Sequence, residues 1–560
     1  MTWISGRLAR LMLALALFVV VGWPGVATVN EAVQSRLLSH QGLGATGVVL
    51  DAAGSGGMLR DVGTVSRPLR VGMTTLSLVA ATEAIALPLG ILIALFLFRT
   101  DAWGRRGVLA VIGLAAFVPL PLHATAWLGA LGNAGRAQAF GVRPILLGLT
   151  GAAVVHALAA LPWVVLIVGV GLCASEAELE ESASLDFSPA QVLLRVTLRR
   201  ASGAIIAAAL AVAVLTAGDM TVTDLLSIRT YAEEAYLQYS LGGGPGAAAA
   251  VALPPILVLG VLIFIVGQTL ERYDPARVVS SLLRARLWQL GWWRIPCGAF
   301  LIALIGNVAA VPLYSLVWRA GRVGGRATLG RPPTWSFSGL MGTLRYAAAE
   351  CWDPLQESLV WTAVAATLTV LLAGGLAWSS RRSTAWRIIS LGALALTLAA
   401  PGPVAGMALV LAYRAVPAIY DSPAMVVLAE TLRTLPYALM ILWPFLRSFP
   451  QDYLDAAALD GLGPASQVFR VVIPLSVRAL LAAWAVAFAI GLGELPATNL
   501  AAPPGTQPMS VMIWSLLHTG VESHLAGVAL IMLSVVVIAG LAAAAAVRSL
   551  RMIGQTMADA

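Results

Sequence analysis

The sequence contains no lysine; all 35 basic residues are arginines. A phosphate loop of the G-x-x-x-x-G-K-[ST] type needs that lysine, so the chain cannot hydrolyse ATP by that route. Energy for any active process must then come from another polypeptide. Charge is scarce as well, at 11% of 560 residues, with a mean hydropathy of +0.87. A soluble globular protein does not have this balance. The three cysteines, Cys173, Cys297 and Cys351, are too few and too scattered for a disulfide framework or a metal site, and read as small packing residues. The net charge of +8 is spread through short loops without a basic stripe, which argues against nucleic acid as a partner. Paired acids, a nucleophile set and a ligand cluster are all missing, so neither an enzyme nor a cofactor is expected. The run at 42–47, GLGATG, fits G-x-G-x-x-G but follows no strand of a βαβ unit, and is rejected as a dinucleotide site. His123 and His156 lack a third ligand at metal spacing and read as hydrogen-bonded helix residues.

What the chain has in abundance is apolar length, with 59% hydrophobic residues. Runs of about 20 residues, enough for a helix to cross the hydrocarbon core, lie near Leu8–Val29, Val71–Phe98, Val108–Ala130, Ile145–Leu172, Ala204–Thr221 and Ala248–Leu270. A second set follows near Cys297–Trp318, Ser358–Trp378, Ile388–Tyr413, Met425–Leu446, Ala479–Leu495 and Leu525–Val547. The fold class is therefore an all-α polytopic membrane protein of about 12 transmembrane helices, with the lipid bilayer as its first partner. The first run follows Arg7 and Arg10, and Leu11–Val21 also resembles the core of a signal peptide. Arginine placement puts both termini in the cytoplasm, since most arginines then fall in cytoplasmic segments.

The two sets are also copies of one another. Ala80-Ala81-Thr82 corresponds to Ala365-Ala366-Thr367, Pro119 and Pro121 to Pro401 and Pro403, and Leu161-Pro162-Trp163 to Leu435-Pro436-Tyr437. Gly218-Asp219 corresponds to Gly493-Glu494. Two six-span halves, residues 1–290 and 291–560, are thus expected in parallel, joined by an Arg-rich segment from Glu271 to Arg294.

Between two apolar runs of the second half lies a polar stretch, residues 454–475, LDAAALDGLGPASQVFRVVIPL. Ala456 to Leu459 favours helix, Gly461 and Gly463 stop it, Pro464 can open a second helix and Pro474 is expected to end that one. The result is a bent, amphipathic knuckle that surfaces from the bilayer. The first half has a counterpart at residues 179–198, in which Glu181, Ala183, Asp186 and Pro189 stand against Asp455, Ala457, Asp460 and Pro464. This copy is one residue shorter, has Phe187 near the glycine position and Arg199 in place of the proline, so its bend should differ.

The order Asp455-Ala456-Ala457, then Gly461, then Val471-x-Ile473-Pro474 resembles the EAA loop of ABC-importer permeases. An Asp stands for the usual Glu and an Ile for the usual Leu. Two such loops in one chain resemble the fused permeases of ferric-iron and thiamine importers. That resemblance implies a permease of the bacterial cytoplasmic (inner) membrane without its own ATPase site. It also implies two ATP-binding cassette ATPase subunits docked on the knuckles, and an extracytoplasmic solute-binding protein delivering a small solute, with ferric iron as the leading cargo. The alternative is an ion-gradient-driven secondary transporter with parallel duplicated halves.

Five charged residues fall within or at the ends of spans: Glu83, Asp219, Glu430, Arg433 and Glu494. An unpaired charge there costs at least ~2.5 kcal/mol, so each faces a partner or a cavity. Glu430 and Arg433 are spaced for an ion pair on one helix. All five remain open between structural pairing and a translocation path or gate.

Overall fold

The computed structural model describes residues 2–40, 67–132, 143–173, 177–240, 244–271, 287–324, 334–519 and 522–558; the 42–47 run and linker residues 272–286 lie outside the described residues. Alanine, leucine and valine dominate the described chain, and it folds almost wholly into helices, which satisfy their own backbone polar groups where water is absent. The first half runs α1 (Thr2–Leu17), α2 (Trp23–His40), α3 (Arg67–Arg99), α4 (Arg105–Ala115), α5 (Leu120–Leu131) and α6 (Gly148–Cys173). It continues through α7 (Ala177–Ala183), α8 (Pro189–Val192), α9 (Ser202–Ala217), α10 (Thr221–Leu225), α11 (Tyr231–Ser240) and α12 (Gly244–Glu271).

The second half repeats the order. It runs α13 (Arg294–Ala320), α14 (Phe337–Glu350), α15 (Trp352–Ser379), α16 (Thr384–Ala399), α17 (Gly402–Tyr413) and α18 (Ala424–Arg447). Then come α19 (Gln451–Leu459), α20 (Pro464–Gln467), α21 (Ile473–Leu492), α22 (Pro496–Ala501), α23 (Met509–Thr519) and α24 (Glu522–Ala558). Among the described residues the only strands are a two-residue antiparallel pair, Arg322–Val323 with Thr334–Trp335.

Nine helices among the described residues are long and apolar enough to cross a membrane, and twelve spans result if each bent pair is one. Two of the twelve expected spans are sharply bent. Val108–Ala130 breaks between α4 and α5 by 106°, and Ile388–Tyr413 breaks between α16 and α17 by 111°. Pro119 and Pro401 sit just ahead of the second helix at each break, with Pro121 and Pro403 in its first turn. Proline lacks the N–H that would continue the first helix but suits the start of the next. A third bend, of 63°, separates Pro189–Arg200 from α9.

Two cores have the same plan. In the first, α3, α6 and α9 pack through Ile93, Leu161, Val164 and Val212; in the second, α15, α18 and α21 pack through Leu372, Leu435, Leu439 and Ala483. The opening span of each half covers the other half. Trp23 Nε1 donates to Ala412 O at 2.8 Å, and the Tyr413 hydroxyl donates to Val19 O at 2.6 Å. On the other side α13 lies along α4 and α5, where Arg319 Nη1 donates to Thr125 O at 3.1 Å. Gly129 makes room for that guanidinium, since a Cβ there would stand 2.6 Å from Arg319 Nη1. All three cysteines are free thiols, with Cys351 fully buried.

Candidate functional site

The second knuckle is the bend between α19 and α20. Gly461 closes it at φ +81°, a left-handed conformation that costs glycine nothing, and Pro464 opens α20 behind Gly463. Asp455, Ala456, Asp460, Gly461, Pro464, Ile473 and Pro474 are exposed, while Ala457 packs inward with Leu454. Asp455 accepts from Gln451 Nε2 at 2.8 Å, and Gln451 in turn accepts from Arg382 at 2.9 Å. Beside them Arg381 lies over the Trp378 ring at 4.6 Å and donates to Phe449 O.

Pro474 does not end the second helix, contrary to the reading from sequence. The chain passes from α20 through a π-turn, Val468–Val472, straight into α21, where Pro474 occupies the first turn. The widened turn already leaves backbone donors of that turn outside the α-helical ladder, so the missing proline N–H costs little. The second knuckle is thereby continuous with a span.

The first knuckle, between α7 and α8, exposes Glu181, Asp186 and Pro189 and half-buries Ala183. Its bend does differ: Phe187 keeps a negative φ, and the turn is closed by a capping box, with Ser188 N donating to Gln191 Oε1 at 3.1 Å. It too runs on through a π-turn, Leu193–Thr197, at the position matching Val468–Val472. Behind it, buried Glu180 pairs with buried Arg99, and Thr197 Oγ1 donates to Glu180 Oε1 at 2.8 Å. Nothing in the sequence marked this pair, whose members are 81 positions apart.

A cavity of about 160 Å³ lies where the halves meet. Pro119, His156, Trp163 and Asp219 come from one side, Arg433, Tyr437 and Glu494 from the other. Trp163 and Tyr437, equivalent positions of the repeat, bring their rings to 6.0 Å across it. The matching acids are placed alike, each near the start of a short helix. Asp219 accepts from Thr221 N and Val222 N, both at 2.9 Å, and Glu494 accepts from Ala497 N at 3.0 Å. His156 Nε2 stands 3.5 Å from Asp219 Oδ2, and Arg433 Nε stands 3.5 Å from Glu494 Oε2.

Arg433 also donates to Ala400 O at 2.8 Å, while Glu430 accepts from Thr362 Oγ1 at 3.1 Å. The ion pair that the spacing of Glu430 and Arg433 allows is therefore replaced by contacts to other segments. Close packing of α18 on its neighbours brings these partners within hydrogen-bonding reach. Glu83, half-buried on α3, is not brought to this cavity. His156 is, although the sequence assigned it only as a hydrogen-bonded helix residue, and its Nε2 has no hydrogen-bond partner among the described residues. Its signal was available in the repeat, since it precedes Trp163 by the spacing that separates Glu430 from Tyr437. Among the described residues no group of His, Cys, Asp and Glu is arranged to hold a metal ion.

Residues 326–552 match the family model described as binding-protein-dependent transport system inner membrane component. The maltose/maltodextrin transport system permease protein MalF of Salmonella typhimurium is 29% identical over 82 residues, 14% of this chain and 16% of its own length. The molybdenum transport system permease protein ModB of Mycobacterium tuberculosis is 36% identical over 152 residues, 25% of this chain and 58% of its own length. The spermidine/putrescine transport system permease protein PotC of Haemophilus influenzae is 26% identical over 106 residues, 19% of this chain and 41% of its own length. The chain thus spans less than two thirds of each relative. Over residues 326–552 it is recognised as a permease of the binding-protein-dependent ABC-importer type, built as an all-α polytopic membrane protein.

Proposed function

We propose that the whole chain is the transmembrane subunit of an ATP-driven importer, with halves 1–290 and 291–560 rocking about the cavity between them. One observation carries the reading. Both knuckles present a leucine almost wholly to solvent, Leu185 at 87% and Leu459 at 89% exposure, and one turn into each following segment Leu194 and Phe469 are also exposed. Apolar tips at matching positions of two bends fit sockets on partner subunits rather than water. The partners are two ATP-binding cassette ATPases, which supply the site that a lysine-free chain lacks. With knuckles and both termini in the cytoplasm, an extracytoplasmic binding protein delivers a small solute at the opposite end.

Asp219, Glu494 and Arg433 then line the translocation path, and Glu430 supports it from behind. The names of the relatives span a sugar, a polyamine and molybdenum, so they support a solute importer without choosing its cargo. The resemblance of the paired knuckles supports ferric iron as the first cargo to test.

The experiment is copurification from native membranes followed by ATPase assay. A cassette ATPase should copurify with the intact chain and be lost with Leu185→Glu/Leu459→Glu, while helix content stays the same. Uptake driven by an ion gradient without any ATPase would instead establish a secondary transporter.

A further inference from the structure

The far end of the cavity, opposite the knuckles, is closed by contacts between the halves. α9 and α21 run from the knuckles to Asp219 and Glu494, and the next residues, Met220 and Leu495, are equivalent positions of the repeat. Both are 0% exposed and both belong to one small apolar cluster with Trp514, backed by Tyr236 and Leu517. Tyr236 of α11 meets Trp514 of α23 edge-to-face at 6.4 Å. Outside this plug, Asp224 Oδ2 and His518 Nε2 are 2.9 Å apart, joining α10 of the first half to α23 of the second. His518 Nδ1 is held 2.9 Å from Trp514 O, so the clasp and the plug share one helix turn.

We infer that Met220, Leu495, Tyr236 and Trp514 form a far-side gate, and that Asp224 and His518 are its clasp. Burial separates this pair from the structural one behind the first knuckle. The Arg99 and Glu180 side chains are 0% and 1% exposed, whereas those of His518 and Asp224 are 46% and 27% exposed. A water-accessible pair is weak and can be broken and remade in each cycle; a fully buried one cannot without leaving charges stranded. α10 begins at the cavity wall with Thr221, so parting α10 from α23 opens the cavity to the far side. The plug keeps it shut until a partner selects the other state.

The inference rests on the permease reading, and its test separates the two. In a background of Cys173→Ala, Cys297→Ala and Cys351→Ala, the double variant Asp224→Cys/His518→Cys is joined by a short bis-methanethiosulfonate, which forms a disulfide with each cysteine and releases sulfinate. The complex with its copurified ATPase is reconstituted in vesicles. ATP turnover should fall at least tenfold on crosslinking and return with reductant; unchanged turnover in crosslinked protein overturns the gate alone. An uncrosslinked chain that neither binds nor stimulates an ATPase overturns the permease reading, and the gate with it. As a second measure in the otherwise native chain, His518→Ala loosens the exposed clasp and should raise binding-protein-independent turnover about two- to fivefold. A flat rate overturns the clasp.

Discussion

Arg99 and Glu180 form an ion pair sealed from water, joining the end of α3 to the first knuckle. Arg99 also donates to Leu172 O at 3.2 Å, so its charge is held by two elements at once. The matching position in the second knuckle is Leu454, 6% exposed in the apolar cluster that includes Phe449, and there the cation, Arg381, donates to Phe449 O and pairs with no acid at position 454. The two knuckles are thus anchored by different chemistry. Replacing one charge strands the other, and Arg99→Ala should lower unfolding stability by about 3–5 kcal/mol. The double variant Arg99→Met/Glu180→Leu, which places a leucine as at Leu454 and leaves no charge unpaired, should recover most of that loss in thermal unfolding of the detergent-solubilised chain. A double variant as unstable as the single one would show that the pair is more than an anchor.

Gly461 has an open surrounding, with nothing within 4 Å of an added Cβ, so its only demand is the positive φ. Gly461→Ala should therefore cost about 1–2 kcal/mol through backbone strain alone. Because the strain sits in the bend, the same variant should weaken ATPase binding at the second knuckle while leaving the first, closed by Ser188 and Gln191, unaffected. Equal loss at both sites would contradict independent docking.

The knuckle was legible in the sequence because glycine and proline punctuate it and because charge interrupts two long apolar runs. The repeat was legible for a related reason: Trp163 and Tyr437, or Asp219 and Glu494, keep their order whatever the loops do. What could not be read was which residues meet. The choice of Arg433 between Glu430 and Glu494 depends on how α18 packs on α15 and α22, and helix spacing reports only neighbours on the same helix. The breaks at Pro119 and Pro401 were visible as prolines, but their angles depend on the helices that receive each arm. Arg99 and Glu180 stand 81 positions apart, and no local spacing marks them as the buried pair that the fold makes of them.

Glu233, on α11 outside the spans, is buried, and its Oε2 finds no hydrogen-bond partner among the described residues. Burial first, then the charges of Asp224 and Asp219, push its pKa up to about 8; Arg229 opposes this and Glu234 adds to it. The folded state therefore binds a proton that the unfolded chain releases near 4.5. Stability from this group is complete below that value and is lost as pH rises through about 8. Thermal unfolding should fall across this window in the native chain, and Glu233→Gln should flatten the profile. A native profile that rises over the same range would place Glu233 in contact with a cation.

Gly402 and Gly406 are four residues apart on α17 and let α22 approach closely. A Cβ at Gly406 would lie 2.6 Å from Ala497 O and 3.0 Å from its Cα, both backbone atoms that cannot swing aside. Gly406→Ala should then cost about 1–3 kcal/mol by overpacking. Gly392→Ala, in α16 with nothing within 4 Å, should instead stabilise by about 0.5–1 kcal/mol, as expected for a helical glycine with free space. The difference has a functional reading, because Ala497 N is the group that holds Glu494 at the cavity. Displacing α22 moves that carboxylate away from Arg433, so Gly406→Ala should lower ATP-coupled turnover even at temperatures where the chain stays folded. Loss of stability with full turnover would separate this close helix contact from the cavity's charged pair.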